Sequence, residues 1–175
     1  MSTIEVNTSL ILPELFSLGD ALKAAIFTSA AAILSRMSED VDANAELAEG
    51  HLRELGRRLD GVRNTVSQRK GVSLLERLKG HVKEVDFKEL TKDLDAIDRE
   101  IDAFKDSLFS VLENRYREGI ASCGDRALFL GLSVGAAIER MTGKALPLPP
   151  LYWQELFLQS LKDLSEKDWG PSQQG

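Results

Sequence analysis

Scarcity shapes the reading of this 175-residue chain. It has one cysteine, Cys123, so neither an intrachain disulfide nor a cysteine-built zinc site can form. A lone thiol fits a reducing, cytoplasmic setting, and burial as a small apolar residue is its expected fate. Histidine is nearly as scarce, with only His51 and His81. An Arg-x4-His ribonuclease motif of the kind found in HEPN domains needs arginine five positions earlier, where Glu46 and Glu76 stand. A di-iron bundle needs glutamate three positions earlier, where Ala48 and Leu78 stand. The chain also lacks a His-Glu-x-x-His zinc motif, a Gly-x4-Gly-Lys-Ser/Thr phosphate loop and a serine elbow. The expectation is a protein that is not an enzyme and uses no cofactor or metal.

Long apolar runs are missing as well. The longest uncharged stretches, Ala24–Ser35 and Ala127–Ile138, fall short of the roughly 20 residues that span a bilayer. No basic cluster precedes an apolar run near the start, so no signal peptide is expected. Proline is absent from Glu14 to Leu146, an interval dense in Ala, Leu, Glu, Lys and Arg. That composition predicts helices throughout, and no sustained period-two alternation suggests a sheet.

Two seven-residue apolar rows dominate what is present. One runs Val41, Ala45, Ala48, Leu52, Leu55, Leu59, Val62 and Val66; the other runs Leu90, Leu94, Ile97, Ile101, Phe104, Leu108 and Val111. Steps of four and three place each row along one helix face. A third row, Leu15, Leu18, Leu22, Ala25, Ser29 and Ile33, marks a first helix starting near Pro13 and ending around Met37. Ser38, Glu39 and Asp40 suit the start of the next helix; Arg69, Lys70 and Gly71 suit its end. Ser73 and Glu76 read as a capping box for a short helix over 74–85, carrying Leu75, Leu78, Val82 and Val85 on one face. Asp86 and Glu89 read as the start of a helix to about Arg117, which Gly119 ends. In Ile120–Thr142, Gly131 and Gly135 stand four apart among Ala and Ser, so another backbone can approach closely. This helix either packs internally or forms a cleft for a partner helix or an apolar ligand. Gly143 suits its cap, Leu146–Pro150 an extended connector, and Leu151–Leu164 a last helix.

The predicted fold is all-α: a five- or six-helix bundle around a long antiparallel hairpin of residues 40–70 and 86–117. Residues 1–169 form one domain and residues 170–175 a disordered polar tail, with Trp169 as a last anchor.

Charge is segregated within a net of −6. Residues 51–83 carry nine Lys/Arg and three Asp/Glu, while residues 84–118 carry six and eleven. The basic segment is expected to lie against the acidic one and fix the hairpin's register. The acidic run Asp93, Asp95, Asp98, Glu100, Asp102 and Asp106 is interleaved with Lys92, Arg99 and Lys105, and reads as a solvated face with local ion pairs, not a magnesium site.

These features point to a non-enzymatic protein–protein interaction module, an adaptor, scaffold, regulator or inhibitor, binding another protein or a second copy of itself. Arg57, Arg58, Tyr152 and Trp153 are the candidate contacts, since arginine and large aromatics concentrate at binding hot spots. One alternative is a nucleic-acid-binding regulator using Arg57, Arg58, Arg63, Arg69 and Lys70; the missing interleaved aromatics and a pI near 5.1 oppose it. The other is a membrane-active helical protein that releases an apolar helix.

Overall fold

The computed structural model describes the backbone of residues 3–35, 41–67, 74–114 and 117–174. Its elements in chain order are β1 (Thr3–Asn7), α1 (Thr8–Leu34), α2 (Val41–Ser67), α3 (Leu74–Leu78), β2 (Val82–Asp86), α4 (Phe87–Asn114), α5 (Arg117–Thr142) and α6 (Tyr152–Gln174). The protein is mostly helical, as the apolar periodicity predicts. The expected caps at Ser38–Asp40 and Arg69–Gly71, and Ser73 of the capping box, lie outside the described residues, as does the side chain of Trp169.

Each apolar row becomes a mostly dry stripe, with Ala45 half-buried and the Val41 side chain outside the described residues. All seven seam residues of α4, from Leu90 to Val111, are buried, and so are Ala48, Leu52, Leu55, Leu59, Val62 and Val66 of α2. Leu15, Leu18, Leu22, Ala25, Ser29 and Ile33 of α1 are buried too. The Ser29 hydroxyl survives there because it donates to the Ala25 carbonyl at 2.6 Å. One continuous apolar cluster draws on both strands and on α1, α2, α4, α5 and α6.

The α2 and α4 stripes each pack most extensively against a helix adjacent in sequence. The most extensive pairings are α1 with α2 and α4 with α5; α2 and α4 meet over less area. Arg58 of α2 reaches Ser17, and Thr65 reaches Glu14, so numbers rise along α2 as they fall along α1. Along α4 and α5, Asp93 meets Arg140, Glu100 meets Arg126, and Ser107 meets Ser122, again in opposite senses. A periodic row reveals which face is buried but carries no label for the helix that covers it.

The structure contains a small sheet where none is expected. β1 and β2 pair antiparallel, with Ile4 opposite Val85 and Asn7 opposite Val82. Ile4, Val6 and Val85 point into the core. Val82 and Val85, read as one face of a helix over 74–85, belong to a strand instead. α3 is a single turn, Leu74–Leu78, and Gly80 at φ +73° turns the chain into β2. That conformation is cheap only for glycine.

The helix starts also shift. α1 begins at Thr8, not near Pro13, because the Asn7 side chain caps it by accepting from the Ser9 and Leu10 amides at 3.1 and 3.4 Å. Pro13 therefore lies inside the helix. Asp86 caps α4 as expected, accepting from the Lys88 and Glu89 amides at 2.9 and 3.2 Å. Gly119 falls inside α5 instead of ending α4. Gly143, at φ +77°, terminates α5.

Two outcomes follow. Asp86→Ala should lower unfolding free energy by about 1 kcal/mol, the usual worth of such a cap, as measured by urea titration. Burial pushes the Cys123 thiol up to about 12 from 9.0. The folded thiol thus ionises later than the unfolded one, so its contribution to stability is intact below pH 9.0 and is lost as pH rises through about 12. At neutral pH a thiol reagent should leave Cys123 untouched until urea unfolds the chain; rapid labelling of the native protein would contradict its burial.

Candidate functional site

Arg57, Arg58, Arg63 and Arg77 of the basic segment are engaged in local and interhelical pairs. Arg57 pairs with Glu54 at 3.0 Å. Arg58 pairs with the same carboxylate at 2.7 Å and donates to Ser17. Arg63 reaches across to α4, meeting Asp98 at 2.6 Å and Asp95 at 2.9 Å. Burial disfavours its charge, but hydrogen bonds and Coulombic attraction from both aspartates outweigh that and raise its pKa. Asp93, from the same acidic run, pairs with Arg140 of α5, whose pKa that hydrogen bond raises. Arg69 and Lys70 lie outside the described residues.

Tyr152 and Trp153 open α6, and their rings meet edge to face with centroids 5.0 Å apart. Trp153 is only 5% exposed. Its indole fills the space where Gly131 has no side chain: a Cβ on Gly131 would overlap the ring and lie 2.7 Å from the Trp153 Cβ. At Gly124 the Cβ position lies at ordinary contact distance from Phe157 and Leu158 of α6, 3.7 and 3.9 Å. The small residues of α5 thus receive α6 of the same chain. Arg57 and Arg58 sit on α2, and no ion pair or hydrogen bond among the described residues joins them to Tyr152 or Trp153.

Two features were not selected from sequence. The first is a cavity of about 670 Å³ between α1, residues 80–83, the end of α5 and residues 144–148. Gly80 and Gly143, both at positive φ, make the turns that bring these segments to α1. Leu12, Phe16, Val134, Leu146, Leu148 and Trp153 supply apolar wall, while Lys23, Lys83, Lys144, His81 and Asp20 supply its charged or titratable groups. Its size is typical of small-molecule pockets. These residues are spread from 8 to 153, so no local motif announces the cavity.

The second is the outward face of α5. Cys123, Ala127, Leu130, Val134, Ala137 and Met141 are buried, but Phe129 and Leu132 remain 46% and 49% exposed. Arg126 lies 6.0 Å from the centre of the Phe129 ring. Among the described residues, Gly119–Thr142 is the one helix long and apolar enough to cross a membrane by length and composition, with a mean hydropathy of 1.2. Less than half of its most apolar 18-residue stretch is buried.

Gly131→Ala should therefore cost about 1–3 kcal/mol in urea unfolding, the usual cost of overpacking, and should shift tryptophan emission. Gly135→Ala is its control: the nearest outside atom to an added Cβ is Leu146 Cδ1 at 3.9 Å, so it should be neutral or stabilise by up to about 1 kcal/mol. Equal effects at the two positions would contradict the seating of Trp153. In comparisons with known proteins, no family model, curated protein or solved structure matches the chain.

Proposed function

We propose that this chain is a non-enzymatic protein–protein interaction module, acting as an adaptor, scaffold, regulator or inhibitor, and that the outward face of α5 docks its partner. The observation that carries this reading is the exposure of Phe129 and Leu132 on a helix whose opposite face is fully packed. Large apolar side chains held on a rigid helix are suited to a helix-to-helix interface, with a second copy of the chain or another protein. The reading as a non-enzyme rests on the sequence, where two histidines and one cysteine leave no recognisable catalytic constellation.

The bundle in this reading is organised with α2 and α4 antiparallel. Arg63 pairs with Asp95 and Asp98, while Glu49 pairs with Lys105 at 3.4 Å, so numbers rise along one helix as they fall along the other. These pairs support register more than stability, because exposed ion pairs contribute about 0–1 kcal/mol each. They also occupy Arg63, which weakens the nucleic-acid reading.

Membrane association is the second reading, favoured by the length and composition of Gly119–Thr142. One pair of substitutions separates the two. Phe129→Gln with Leu132→Gln should leave thermal unfolding nearly unchanged, since both side chains are half exposed. It should weaken self-association or partner capture by about 2 kcal/mol per hot-spot side chain. Light scattering after size exclusion and affinity purification from the native host read this out. A wild-type chain that stays monomeric and captures no stoichiometric partner would overturn the interaction reading; flotation with liposomes would favour the membrane one.

A further inference from the structure

The cavity beside α1 combines two properties that point to one class of ligand. Its wall is apolar, formed by Leu12, Phe16, Val134, Leu146, Leu148 and Trp153. Phe16 is 69% exposed and Leu148 37%, so apolar surface continues outward from the cavity. Such surface favours an alkyl chain over a polar metabolite.

Three lysines also line it: Lys23 from α1, Lys83 from β2 and Lys144 from the connector. Arg57, Arg58, Arg63, Arg77, Lys92, Lys105, Arg126 and Arg140 all have carboxylate partners. Among the described residues no ion pair engages Lys23, Lys83 or Lys144; the same holds for Arg53, Lys79, Lys88, Arg99 and Lys162, but only the cavity gathers three such cations. Asp20 is the single carboxylate in the lining. In a chain of net charge −6, this is a local excess of positive charge against the overall sign. Lys83 has a structural use as well. Its Nζ lies 3.6 Å from the Cβ position of Gly143, near the carbonyl end of α5, where a cation is favourable. Lys144, two residues beyond the last residue of α5, stands at that same end.

We propose that this cavity binds a single-chain amphipathic anion, a long-chain carboxylate, with its alkyl chain against Phe16, Leu148 and Trp153 and its headgroup held by Lys23, Lys83 and Lys144. The site uses side chains other than the Phe129 and Leu132 face, so it stands or falls independently of protein docking on α5. The lysine ammonium groups supply the sign preference, and the wall supplies affinity that grows with chain length. The same chemistry is available from a free fatty acid or from an anionic membrane lipid; the proposal commits to the free molecule.

Trp153 reports occupancy. The chain has two tryptophans, so Trp169→Phe leaves Trp153 as the single emitter. Titrating this variant with dodecanoate below its micelle concentration should give a saturable change in emission at one molecule per chain. Dodecyltrimethylammonium, equal in chain and opposite in charge, should bind at least tenfold more weakly. Lys23→Gln with Lys144→Gln should weaken dodecanoate at least tenfold while leaving dodecanol within twofold. Both lysines are exposed, and circular dichroism should show the fold intact. Equal binding of the two charged detergents, an unchanged dodecanoate affinity in the lysine variant, or no saturable response would each overturn the proposal. Flotation on phosphatidylglycerol vesicles without saturable dodecanoate binding would also overturn it, by assigning the surface to a membrane.

Discussion

Trp153 seated over Gly131 is the contact on which the packing of α6 against α5 depends. A glycine at that point of α5 lets a large indole replace a helix side chain and holds the start of α6 against α5. The connector from Lys144 to Leu151 must then cross the end of α5. Trp153 also lines the cavity beside α1 and the smaller groove next to Leu132 and Leu148. One packing choice therefore ties α6 down, places the proline-rich segment and shapes both concave surfaces. Edge-to-face contact of Phe104 with Phe157, at 6.5 Å between centroids, joins α6 to α4 farther along.

Below this contact the fold rests on apolar burial. α1, α2 and α4 each bury a stripe, while charged groups bridge the exposed edges of the helices. The Arg63–Asp95/Asp98 and Arg140–Asp93 pairs tie α4 to α2 and to α5. Such pairs select among packings that burial alone would allow, since the wrong register would bring like charges together. Of the basic segment 51–83, Arg63 pairs with the acidic segment, whereas Arg57 and Arg58 pair with Glu54 of their own helix and Arg77 with Glu5. Phe129 and Leu132 on α5 and the lysines around the cavity are among the groups that this packing leaves exposed.

Much of this was legible in the sequence. The row from Leu90 to Val111 is buried at every position, and the caps at Asp86 and Gly143 stand where their residue types predict. The β1–β2 pair was not legible, because strands of five residues separated by more than seventy positions leave no local signal. Val82 and Val85 fit a helix face as well as a strand. Helix pairing was also hidden, since burial periodicity does not name the covering helix. The sequence marks Trp153 as a candidate partner contact, and the small residues of α5 as either internal packing or a cleft. The two signals belong together, but only the three-dimensional path of the connector brings residue 153 onto residue 131. The cavity was invisible for the same reason, as its walls come from α1, β2, α5 and the connector.

The most direct measurement is a nuclear Overhauser spectrum of the folded protein with Trp153 as its single tryptophan. Cross-peaks between the Trp153 indole ring protons and the α-protons of Gly131 are predicted, together with contacts from the same ring to Leu146 and Leu148. An indole without contacts to Gly131, exchanging its ring N–H at the rate of a solvent-exposed tryptophan, would contradict the seating of α6 on α5 and the cavity built upon it.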